Sequence, residues 1–167
     1  MGPPPQTGFT FDWSDERLTL MQTFDELKAF LLNHDLFQDT MTIELKQTDL
    51  SAADDIAAAD DFVQELGLIP LGDGWTELDQ AAAQETLTLI LHLSQAYHVE
   101  LLPLATAEQI AKSFLELFDT YNASFYSNGT FTRSSSSWNE LTEATFDMAV
   151  LVMDHESIGI ICVEDED

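Results

Sequence analysis

Hydrophobic positions recur with two spacings along the chain, and the change from one to the other separates an early helical part from a late strand-rich part. Phe24, Leu27, Phe30 and Leu31 share one face at the helical period of about 3.6 residues, which predicts a helix from Thr23 to near Asn33. Ile56, Ala59, Val63 and Leu66 repeat the pattern and stop at Gly67, a residue suited to the left-handed position that follows a helix. Ile110, Phe114, Leu117 and Tyr121 form a third stripe, read as pointing inward. Residues 86–93 alternate as a strand would, yet no breaker separates them from the helical stretch 80–85. The reading taken there is one buried helix of about twenty residues.

Each helix is preceded by the same punctuation. Thr23 with Glu26, Ser51 with Asp54, Thr76 with Asp79 and Thr106 with Gln109 all place a hydroxyl three residues before an acid or amide. In that spacing the hydroxyl accepts from the third amide of the helix while the later side chain reaches back.

A period of two takes over elsewhere. Met41, Ile43 and Leu45 alternate with Thr42, Glu44 and Lys46, predicting a half-buried strand. Asn128-Gly129, flanked by Phe125-Tyr126 and Phe131, is the strongest short hairpin cue, a two-residue turn with positive φ at both positions. A second hairpin joins 146–153 to 157–163 through Asp154, His155 and Glu156; both strands are apolar on two faces, which places them centrally under helices. The polar run Ser134–Ser137 reads as a loop between the hairpins. The expected fold is α+β: about four helices, mostly N-terminal, packed on an antiparallel sheet built largely from C-terminal hairpins.

With 167 residues, the chain has the length of one domain. The 45% hydrophobic content, with 11 Phe and 3 Trp, excludes a disordered acidic tail. The proline-rich start cannot continue into a helix or central strand, so 1–12 is read as a flexible segment ahead of a single domain over 13–167. No apolar run reaches the ~18–20 residues of a membrane span, no secretory pattern opens the chain, and a lone Cys162 fits a reducing compartment. The expectation is a cytoplasmic protein.

Charge changes the picture most. Asp plus Glu number 31 against 5 Lys plus Arg, a formal net charge of −26. Between Lys46 and Lys112 there are twelve acids and no base; after Arg133 there are nine more acids and again no base. This sign argues against direct nucleic-acid contact and against anionic membrane surfaces, and favours a basic protein partner. Asp54, Asp61 and Glu65 fall near one face of the second predicted helix, with Asp55 and Asp60 flanking it. Together with the terminal Glu164, Asp165, Glu166 and Asp167, these are the candidate partner-binding residues.

Catalytic and cofactor signatures are absent. No phosphate-binding, dinucleotide-binding, nucleophile-elbow or zinc-protease motif occurs, and Gly72-Asp73-Gly74 reads as a turn. His34, His92, His98 and His155 lack metal-ligand spacing, Cys162 sits in an apolar strand as an inert packing residue, and the acidic tetrad lacks the loop spacing of a calcium site. No catalytic residue, metal or cofactor is therefore expected. Asn122 and Asn128 open glycosylation sequons, which carry no weight without secretion. Trp13, Trp75 and Trp138 read as core-edge residues or partner anchors. The leading expectation is a non-catalytic acidic binding protein: an inhibitor, immunity protein or DNA mimic that covers the basic surface of a nuclease, toxin or DNA-binding protein. The alternatives are an acidic secretion or assembly chaperone and an enzyme without a recognisable motif. Oligomeric state is left open, since charge opposes self-association whereas an apolar sheet face would support a dimer.

Overall fold

The computed structural model describes residues 23–165. The segment 1–12, Trp13, Glu166 and Asp167 lie outside the described residues.

The α+β class holds. Among the described residues, four helices, α1 (Phe24–Leu32), α2 (Asp55–Glu65), α3 (Gln80–His92) and α4 (Leu104–Leu115), accompany seven strands. Five strands form an antiparallel sheet in the order β1 (Met41–Gln47), β7 (Ser157–Asp165), β6 (Phe146–Met153), β3 (Ser124–Ser127) and β2 (Thr76–Leu78). β4 (Gly129–Phe131) and β5 (Ser136–Trp138) pair separately as a small ribbon.

Alternation along β6 and β7 divides the core in two. Met148, Val150, Val152, Ile161 and Val163 face one way and pack with Leu27 and Leu31 of α1, Leu87 and Ile90 of α3, and Ile110 and Phe114 of α4. Ala149, Leu151, Ile158, Ile160 and Cys162 face the other way, under Ala59, Phe62 and Val63 of α2. The β6–β7 hairpin is thus buried on both faces, as its two-sided apolar pattern implies.

Three of the four predicted helix starts shift. Thr23 does cap α1, with Glu26 returning the bond. At the next two sites the aspartate is itself the cap: Asp54 accepts from Ala57 N at 2.9 Å and Asp79 from Ala82 N at 2.7 Å. A carboxylate is as good an N-cap acceptor as a hydroxyl, and Thr76 is occupied as a strand residue opposite Ser127. α4 begins at Leu104 after Pro103, so Thr106 lies buried inside it rather than ahead of it.

Residues 86–92 are helical, and α3 is 13 residues long rather than twenty; Leu93 turns extended and bridges Glu100. The stripe Ile110, Phe114, Leu117 and Tyr121 fails at its end. α4 stops at Leu115, Phe118 becomes the buried residue, and Tyr121 is 92% exposed. Ser136 and Ser137 belong to β5, not to a loop. Gly67 does take the left-handed position after α2, with φ of 81°.

The largest correction concerns Asn128-Gly129. β3 and β4 do not pair with each other: β3 lies between β6 and β2, and β4 pairs with β5. Asn128 is buried rather than at a turn tip. Its Nδ2 donates to Asn139 O, Asp147 O and Asp147 Oδ1, and its Oδ1 accepts from Ala149 N. Gly129 is required for another reason. Backbone atoms of Ser137 and Trp138 occupy the space that a Cβ would need. The dipeptide is the step by which the chain leaves the main sheet.

Candidate functional site

α2 crosses the sheet face near the β1 end, and between it and β1 lies an open groove of about 380 Å³. Asp54, Asp61 and Glu65 border this groove, as their shared helix face implies. Its floor is apolar, with Leu50, Phe62 and Ile158 among the lining residues. One base enters it: Lys46 Nζ sits 3.0 Å from Glu65, a pair with both side chains about half exposed. Asp61 makes no bond to the described residues and is exposed. The groove therefore offers an acidic rim over an apolar floor, which can receive a segment carrying both cationic and apolar side chains.

The flanking acids are committed inward. Asp55 accepts the Tyr126 hydroxyl at 3.0 Å. Burial, then the Asp55 bond and charge, push the Tyr126 phenol up to about 12. Asp60 accepts from Leu71 N, Gly72 N and the Trp75 indole at 2.8 Å, fixing the short 3-10 turn Gly72–Gly74. Trp75 is accordingly a buried structural residue, and Trp138 packs between Phe131 and Phe146.

Of the C-terminal acids, the two described ones, Glu164 and Asp165, do not join the groove. Asp165 accepts from Ser94 Oγ at 2.6 Å and Ala96 N at 2.9 Å, pinning the turn after α3. It lies seven residues along β7 from the groove's Ile158, about 23 Å at the usual strand rise. Glu164 is part-buried, opposite Asp147 in the strand register.

Other acids are hidden altogether. Asp147 is 0% exposed; its carboxylate accepts from Leu141 N, Thr142 N, Thr142 Oγ1 and Asn128 Nδ2 at 2.8–3.2 Å. Asp154, also buried, accepts from Asp119 N, Glu156 N and Ser157 N, each at 2.8 Å. An ionised carboxylate survives burial only when its oxygens are taken up by donors, and here amides and hydroxyls supply them in place of bases. Sequence reasoning missed both. The only available signal was that Asp147 opens an apolar strand and Asp154 sits in a tight turn.

Cys162 is buried, and desolvation, with Asp147 and Glu164 nearby, raises its thiol well above the ordinary range. This keeps it a thiol and a poor nucleophile. Among the described residues no trio of His, Cys, Asp and Glu is placed to hold a metal ion, and no helix is long and apolar enough to cross a membrane.

These features define an α+β protein with helices on both faces of a five-stranded antiparallel sheet and an acid-rimmed groove between α2 and β1. No protein-family model, curated protein or solved structure matches the chain.

Proposed function

We propose that the chain is a non-catalytic acidic binding protein whose α2–β1 groove receives a basic, partly apolar segment of a nuclease, toxin or DNA-binding protein. The observation that carries this reading is the sharing of one groove by Asp54, Asp61 and Glu65, with Lys46 the one base among its lining residues. Asp61 and Glu65, four residues apart, are like charges that oppose helix formation slightly, and a floor containing Phe62 and Ile158 gives a partner apolar area to bury. The net charge of −26 would speed capture of a basic surface by long-range steering.

The test is capture of basic proteins from native lysate at low salt, with stepped salt elution, on the wild type and on Asp54→Asn/Asp61→Asn/Glu65→Gln. A nuclease or DNA-binding protein retained at near-stoichiometric yield, released by moderate salt and lost on the variant, is the expected result. Retention that survives salt and yields only to denaturant points to the chaperone alternative. Equal retention by the variant removes the groove from the reading.

A further inference from the structure

A second cavity, of about 360 Å³, lies between α3, α4 and the end of β4, against the sheet face opposite α2. That is the lower end of the size range of small-molecule sites. Leu89, Leu104 and Phe131 give it apolar walls.

Its polar lining divides into groups already bonded and groups left over. Gln84 donates to Glu108 O and Thr88 Oγ1 donates to Gln84 O, so those two are engaged. His92 is 6% exposed, and its Nδ1 lies 2.7 Å from Leu102 O. A carbonyl only accepts, so Nδ1 is the donor; Nε2 has no partner among the described residues and accepts whenever Nδ1 carries the ring's single proton. Glu85 and Glu108 stand exposed at the cavity, as does Arg133. The ion pairs among the described residues are Lys28–Glu44 and Lys46–Glu65. Arg133 has no ion pair among the described residues.

The balance of charge selects the ligand. A simple anion is opposed by the field of the whole molecule and by Glu85 and Glu108. A simple cation is opposed by Arg133. A neutral apolar molecule would leave His92 Nε2 without a donor. We propose that this cavity binds a small zwitterion of the α-amino-acid type with an apolar side chain. Its carboxylate pairs with the Arg133 guanidinium, which suits carboxylates by its planar fork. Its ammonium faces the acceptors His92 Nε2, Glu85 and Glu108, and its side chain lies against Leu89, Leu104 and Phe131. Nothing in this rests on the α2 groove, which lies beyond the other face of the sheet.

The experiment is calorimetric titration of the full chain with L-leucine and L-phenylalanine, beside N-acetyl-leucine, which lacks the cation, and isoamylamine, which lacks the carboxylate. Amide shifts in an NMR spectrum locate the site. One or both amino acids should bind and shift resonances of Leu89 and Leu104, with each control weaker by roughly tenfold or more, the value of one charge-assisted hydrogen bond. Arg133→Gln, an exposed change that leaves the melting temperature unaltered, should weaken the amino acid by a similar factor and leave isoamylamine no weaker. Isoamylamine binding as well as leucine would make this a cation site and overturn the proposal. Equal binding of N-acetyl-leucine, shifts located elsewhere, or no binding of either amino acid would overturn it too.

Discussion

Asp147, beneath the turn that carries Leu141 and Thr142, is wholly enclosed and takes hydrogen bonds from both of their amides, a hydroxyl and the Asn128 side chain. Asp61, on the outer face of α2, is exposed at the rim of an open groove. The same side chain is a fastening in one place and a free charge in the other. With 5 bases against 31 acids, pairing with Lys or Arg cannot decide which is which. Backbone amides decide it: wherever two or three of them converge, a carboxylate is drawn in and its charge becomes part of the frame. The formal charge therefore overstates what the surface presents, since Asp147 and Asp154 are buried and Asp60 and Asp165 are held by backbone amides.

Breaking the inward side should give the largest effects. Asp147→Ala strands two backbone amides and the Asn128 amide group in the core, and should lower unfolding free energy by about 3 kcal/mol or more, read by urea denaturation. Should that variant fail to fold, Asp147→Asn, which retains one acceptor oxygen, should fall between it and the wild type. A loss below about 1 kcal/mol for the alanine variant would mean that the Asn128 knot does not fasten the sheet. Asp60→Ala releases the Gly72–Gly74 turn and the Trp75 indole. It should cost about 2 kcal/mol and red-shift tryptophan emission; unchanged emission would place the anchoring of Trp75 elsewhere.

Tyr126→Phe is milder, at about 1 kcal/mol near neutrality, but it carries a pH signature. The fold favours the protonated phenol, so its contribution is complete below the ordinary phenol value of about 10. It is lost as pH rises through about 12. The wild type should therefore lose more stability than Tyr126→Phe between those values; parallel curves would show that the Asp55 bond contributes little. Smallest of all for stability is the outward side. Asp54→Asn/Asp61→Asn/Glu65→Gln should change unfolding free energy by no more than about 0.5 kcal/mol, because Asn caps a helix as well as Asp and an exposed ion pair is worth little. Partner affinity is where that variant should show its effect. A large stability loss instead would erase the distinction between the two kinds of acid.

Periodic segments were legible in the sequence where the pattern is local. α1, α2, β1 and the β6–β7 hairpin follow from spacing and capping within a dozen residues, and the face shared by Asp54, Asp61 and Glu65 follows from helical geometry alone. What could not be read depends on distant chain. Asn128-Gly129 carries every local mark of a turn, yet Asp147 and Ala149 capture its side chain and β5 crowds its glycine. Tyr121 continues a helical stripe on paper, but α4 ends six residues before it. The groove's Lys46 and Ile158 could be placed beside α2 only once the sheet order was known, since β1 and β7 are neighbours in space and remote in sequence.

That remoteness has a consequence for how the protein comes to be made. Met41 pairs with Val163 and Gln47 with Ser157, so β1 waits through more than a hundred residues of synthesis for β7, its one partner strand among the described residues. Closing so long a loop is an entropic barrier that must be crossed before the contact returns anything. On the ribosome β1 emerges long before the strand it pairs with, and it can join the sheet only after β7 has left the exit tunnel. The apolar side of β1 thus stays without its β7 neighbour over more than a hundred residues of synthesis, a stretch over which a surplus of like charge opposes association between unfinished chains.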